Sequence, residues 1–173
     1  MGTSTRPHRK TQEREMSRGE IIEQVKVYFK IQELVSKEVY EKYGDASWFV
    51  LQTGALVCLL LIRVGIGKPI TVNTWHKGGR YDERGYRDNL GPIVVGKTVS
   101  GELYVSGHVL GCAFDFKVKG WSACEVRTWI EENAEIFPCK IRLERQLNGK
   151  PITWVHIDTK YYEDNPKVYL FDL

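Results

Sequence analysis

Apolar residues recur with a helical period after Ser17, at Ile21, Ile22, Val25, Tyr28 and Phe29, and Ser17 with Glu20 has capping-box spacing. A first helix of about ten residues follows from that pattern. Residues 48–64 are apolar over a stretch long enough for a central buried helix, with Gly44-Asp45 ahead of it as stop and N-cap and Gly65 and Gly67 behind it. The β-branched run 70–75 predicts a strand, whereas 76–101 carries glycines and charges without a period and reads as a long surface loop. Short strands are expected at 103–105, 112–118 and 168–171. A second capping box, Ser122 to Glu125, precedes an apolar stripe of Val126, Trp129, Ile130 and Ala134. Residues 141–147 and 152–157 flank Asn148-Gly149, a hairpin signal because both turn residues tolerate positive φ. The sum is an α+β domain, a small antiparallel sheet with flanking helices.

Composition adds limits. At 173 residues and 42% hydrophobic, the chain fits one domain with its own core. Residues 1–18 are almost devoid of apolar side chains and read as a disordered tail, leaving a single domain over 19–173. The formal charge is +3, and residues 1–20, with five basic and three acidic side chains, account for two of those charges. The remainder offers no clustered basic face, so no nucleic-acid partner is expected. Cys58, Cys112, Cys124 and Cys139 show no C-x-x-C spacing and are expected to be reduced, mostly core residues. The greasiest stretch, 55–62, falls well short of the roughly 20 residues of a membrane span, and the N-terminus lacks an apolar leader, so neither a span nor a secretory signal is expected.

The candidate chemistry lies in Ser106-Gly107-His108-Val109-Leu110-Gly111-Cys112-Ala113-Phe114-Asp115 and, some forty residues on, Trp154-Val155-His156-Ile157-Asp158. Two imidazoles and a carboxylate are the donor set with which catalytic zinc sites keep a fourth position open. A lone histidine is more often a structural hydrogen-bonding residue, and Asp115 could end a turn, so the residues alone leave both readings open. His8 in the polar tail and His76 in the Gly-rich loop do not compete strongly.

The pattern S-x-H-x-x-G-x-A-x-D followed by W-V-H-I-D resembles the zinc D-alanyl-D-alanine carboxypeptidase and dipeptidase family, above all its small phage and bacterial cell-wall members of the hedgehog/DD-peptidase fold. The resemblance runs from about Phe29 to Phe171. It implies one Zn2+ per chain on His108, Asp115 and His156, and a peptidoglycan stem peptide as substrate. The family pattern has an acidic residue three positions before the last histidine, where this chain has Thr153, which cannot act as a general base near neutral pH.

Two carboxylates are candidates for the missing acid–base group. A two-residue turn at Asn148-Gly149 would set Glu144 opposite Thr153, and a three-residue loop with a bulge would set it opposite Ile152, on the face of His156. Asp158 shares a strand face with His156 and could be the base or simply orient that ring. Arg84-Gly85-Tyr86-Arg87 resembles the family's G-Y-R segment, which makes Arg87, with Arg84 second, the expected anchor for a substrate carboxylate. Ser106 is expected at the edge of the site as a hydrogen-bonding group, and Trp75, Tyr86 and Trp154 as cleft walls. A monomeric peptidase acting on the cell wall is expected; its compartment stays open, since the lack of a visible leader would suit either release on host lysis or a trimmed N-terminus. The rival from another class is a cell-wall-binding or virion module of the same fold that no longer catalyses.

Overall fold

The computed structural model describes residues 16–160 and 166–173. The tail up to residue 15, His8 included, lies outside the described residues, as do 161–165. Ser17 caps helix α1 (Arg18–Lys26) with both halves of the capping box formed. Arg18 then donates to Thr53 Oγ1 and to the carbonyls of Trp48 and Leu51, each at 2.7 Å. The ordered domain therefore already holds residue 18, which the composition had assigned to the tail.

Helix α2 (Lys37–Tyr43) ends at Gly44 and runs into a 3-10 segment, Gly44–Val50. The central helix α3 (Thr53–Ile66) begins only after that segment and closes at Gly67 in the left-handed conformation. Its start is thus later than the apolar run suggested, because Trp48 to Leu51 use their apolar side chains in a 3-10 turn. Strand β1 is short, Ile70–Thr71, and the residues after it bend into another 3-10 turn at Trp75–Lys77. The expected loop 76–101 contains helix α4 (Pro92–Val99), with Pro92 at its first turn. No strand forms at 103–105.

Strand β2 (Ala113–Val118), helix α5 (Ala123–Glu132) with its Ser122–Glu125 capping box, and strands β3 (Ile141–Leu147), β4 (Lys150–Asp158) and β5 (Val168–Asp172) complete the chain. The sheet order is β1-β2-β4-β3-β5. Every pairing is antiparallel except β3 with β5, which run parallel, so the sheet is mixed rather than antiparallel throughout. β4 ends at Asp158 opposite Arg142, and β5 begins at Val168 opposite Ile141, so the last strand starts at the same end of the sheet and runs against β4 and with β3.

Period-two alternation divides the sheet's faces. Phe114 and Phe116 on β2, Ile141 and Leu143 on β3, and Val155 and Ile157 on β4 are buried in the core that α3 and α5 cover. Complete burial of each such side chain contributes roughly 1.5–3 kcal/mol. The intervening residues Asp115, Arg142, Glu144, His156 and Asp158 occupy the other face. No single helix among the described residues is long and apolar enough to cross a membrane.

Candidate metal site and cleft

Four strands contribute to one row of the site. Asp115 on β2 pairs with His156 on β4, His156 pairs with Glu144 on β3, and Glu144 pairs with Phe171 on β5. Directly opposed residues share a face, so one rung of the sheet carries the candidate metal carboxylate, one imidazole and the candidate base.

Neither expected hairpin register is the observed one. Asn148 and Gly149 do form a two-residue turn with φ of 51° and 72°, and Leu147 faces Lys150. Gln146 then faces Pro151, whose ring nitrogen has no hydrogen to donate, and the next pair is Glu144 with His156. Residues 152–155 are accommodated opposite Arg145 alone. Buried Arg127 from α5 reaches into this irregularity, donating to Trp154 O at 3.3 Å and, at 3.5 Å, to Glu144 O. The slip moves Glu144 from Thr153 to the histidine itself. Thr153 is exposed and does not line the cleft.

His108 comes from the turn between Ser106 and Gly111. Ser106 Oγ accepts the Val109 N–H at 3.3 Å, and Gly111, at φ 70°, packs where a Cβ would lie 1.9 Å from Val50 O. Any side chain there would push the turn off the 3-10 segment beneath it. Gly85 is equally constrained, since a Cβ would meet Leu34 O at 2.0 Å. That contact holds the Gly85 carbonyl against His108, whose Nδ1–H donates to it at 2.8 Å.

These second partners set the tautomers. With Nδ1 committed to Gly85, His108 presents Nε2, which lies 3.3 Å from Asp115 Oδ2. His156 presents Nδ1, 2.7 Å from Asp115 Oδ1, while its Nε2–H points 3.2 Å to Asp158 Oδ2. Ligand atoms of His108, Asp115 and His156 all lie within 4.8 Å of one another. With the His156 Nδ1 proton displaced, two imidazole nitrogens and a carboxylate, each backed by a second group, would fit a zinc ion with room for further ligands on the cleft side.

Asp158 is buried and clamped by Arg142, with Nε to Oδ1 at 2.8 Å and Nη2 to Oδ2 at 2.6 Å, and it also accepts the Lys160 N–H. It sits on the far side of the His156 ring from the ligand nitrogen, so its position is that of a residue that orients His156. Arg142 is a part of the site that the sequence reading passed over. Its i, i+2 spacing from Glu144 was the available signal.

No family model, curated protein or solved structure matches the chain. The site therefore stands on its geometry. A cleft of about 500 Å³ opens over it, lined by Arg87, Tyr104, Ser106, Trp154 and Phe171 among others. Arg87 donates from Nε to Glu83 O at 2.7 Å, from Nη1 to Tyr104 Oη at 2.8 Å and from Nη2 to Asp115 Oδ2 at 3.3 Å. Arg84 is not brought to the cleft; its guanidinium lies 3.4 Å over the Tyr81 ring, and only its carbonyl takes part, accepting the Asp115 N–H at 2.7 Å. Of the expected aromatic walls only Trp154 lines the cleft. Trp75 is held by Val35 O, and Tyr86 borders a separate pocket beside α2. Tyr104 and Phe171 take their places, and no pattern in the sequence marked either.

Glu144 is buried, and its Oε1 has no hydrogen-bond partner among the described residues. Burial pushes its carboxyl above the ordinary glutamate value, against a counter-pull from His156. Burial would raise Asp115 too, but the two histidines overcome it and hold that carboxyl far below the usual range. For His156, burial acts to lower the pKa, and the bonds and charges of Asp115 and Asp158 outweigh it, raising it to about 9.

A pH prediction follows from this last value. A metal must displace the Nδ1 proton, so zinc uptake at pH 7 should release a proton from His156 and affinity should fall about tenfold per pH unit on acidification below about 9. In the zinc-free protein the sign reverses for stability: charged His156 stabilises the fold fully below its unfolded pKa of roughly 6.5. That contribution is lost as pH rises through about 9. Calorimetric zinc titrations in buffers of different ionisation enthalpy check the proton count, and zero protons released would remove the assignment of Nδ1 as a ligand atom.

Proposed function

We propose that the chain is a zinc-dependent peptidase of the D-alanyl-D-alanine type, with the hedgehog/DD-peptidase fold, hydrolysing a peptide bond in peptidoglycan stem peptides. The observation that carries this reading is the buried Glu144 Oε1, without a hydrogen-bond partner among the described residues, on the same rung as Asp115 and His156 and beside the convergent His108, in an open cleft. Zinc held by His108, Asp115 and His156 would supply Lewis acidity and a water of lowered pKa near neutral pH.

The chain's own residues do the rest. Glu144 accepts a proton from the attacking water and returns it to the leaving amine, a cycle that a raised carboxylate pKa favours. Asp158 and Arg142 fix the plane of His156, and Arg87 braces Asp115. Arg87 spends three of its five N–H groups on protein partners, leaving one on each Nη for a substrate carboxylate at the cleft wall.

Zinc-loaded protein incubated with purified peptidoglycan should release stem-peptide fragments, identified by mass. A zinc-loaded protein that sediments with cell walls yet releases nothing would sink the peptidase reading in favour of a binding module. Arg87→Lys keeps the charge but loses the planar fork, so kcat/KM on a carboxylate-bearing peptide should fall roughly tenfold or more, about 1.5 kcal/mol, chiefly through KM. Wild-type kinetics in that variant would end the anchor assignment.

A further inference from the structure

Away from the cleft, two thiols distant in sequence meet. Cys58 Sγ, on α3, lies 3.6 Å from Cys139 Sγ, in the segment that enters β3. Cys58 is buried, Cys139 is partly exposed, and both are free thiols. Cys124 is exposed on α5 and Cys112 is buried at the start of β2, so neither of the other two shares this setting.

Cys139 lies over the first turn of α3. Its sulfur is 3.5 Å from the Cβ position that Gly54 leaves vacant, and the helix N-cap, Gln52, supplies no side-chain acceptor to the first N–H groups. A thiolate is stabilised at such a helix start, and by a neighbouring cation. Donation by the Cys58 S–H is the largest influence lowering the Cys139 pKa, with Lys167 adding to it, while the same bond and burial raise Cys58. The pair is thus asymmetric: an accessible sulfur with thiolate character and a buried sulfur held against it.

We propose that Cys58 and Cys139 form a reversible redox pair, closed to a disulfide by low-molecular-weight disulfides such as oxidised glutathione. The Cys139 thiolate attacks one glutathione sulfur, forming a mixed disulfide and expelling one glutathione thiolate. Cys58 then loses its proton and attacks the Cys139 sulfur, expelling the second. Two protein thiols are oxidised and one glutathione disulfide is reduced to two glutathione thiols. The bond would tie α3 to the entry of β3, the strand that carries Arg142 and Glu144, across 81 positions of sequence.

The test uses the full chain with Cys124→Ser to remove the exposed thiol, treated with oxidised glutathione and digested without reduction. The expected product is a cross-linked peptide pair containing Cys58 and Cys139, with the protein lighter by two hydrogens and restored by dithiothreitol. The oxidised protein should unfold about 5–15 °C higher than the reduced one. Cys58→Ala should stop at a stable glutathione adduct on Cys139, whereas Cys139→Ser should leave Cys58 unmodified. Protein treated with oxidised glutathione in which both thiols stay free, or in which Cys139 keeps glutathione while Cys58 is intact, overturns the proposal, as does a cross-link that lowers the unfolding temperature. The Cys139→Ser and Cys124→Ser arms decide the matter even if the buried Cys58→Ala variant does not fold.

Discussion

Purified protein should hold one zinc per chain, and His108→Ala or His156→Ala should lose nearly all of it. Each imidazole would supply one of three donors, and its far nitrogen is already held, by Gly85 O in one case and by Asp158 in the other, so the remaining ring would not be free to supply a second donor. Removing the metal should also reduce stability. The three donors join the Ser106–Gly111 turn to β2 and β4, and an ion that binds only the folded state adds stability in proportion to its affinity. Metal analysis and thermal melts with and without a chelator check both statements. Full zinc retention in both alanine variants would dismiss the site.

The second large effect is expected at Glu144. Glu144→Gln keeps the size of the side chain and its place on β3 but removes the proton acceptor, so it should bind zinc and melt normally while losing about 10²–10⁴ in turnover. The informative control is Asp158→Asn. That change weakens the group that orients His156, and loss of such a partner costs typically 10–100-fold in metal affinity. Activity lost in Asp158→Asn should therefore return at higher zinc, whereas that lost in Glu144→Gln should not. A fully active Glu144→Gln beside a metal-loaded but dead Asp158→Asn would transfer the base to Asp158.

The two capping boxes, at Ser17 and Ser122, form as their spacing predicts, because an N-cap is settled by four consecutive residues and needs no partner from elsewhere. Strand β2 and the Asn148-Gly149 turn are legible for the same reason: alternation and positive φ are local properties. The His-x6-Asp spacing and the later histidine are likewise brought together as the sequence pattern anticipated, within reach of a single ion.

What was not legible depends on contacts between distant segments. Helix α4 lies in a stretch without apolar period, since only Val94 of its residues is buried. The parallel placement of β5 is decided by which sheet edge remains open after the hairpin has formed. Arg142 could be identified as the clamp on Asp158 only when β3 was seen to face β4 with Arg142 opposite Asp158.

By itself, then, the sequence determined the local elements, because caps, turns and face alternation are fixed by neighbouring residues, and it marked His108, Asp115 and His156 only as candidates. Only the tertiary structure decided that Glu144 faces His156 rather than Thr153 or Ile152. Turn chemistry sets the register at Leu147 and Lys150, but the slip that follows arises where Pro151 cannot donate and Arg127 arrives from α5 to satisfy the carbonyls left open, and such an adjustment requires a helix and a hairpin already packed together.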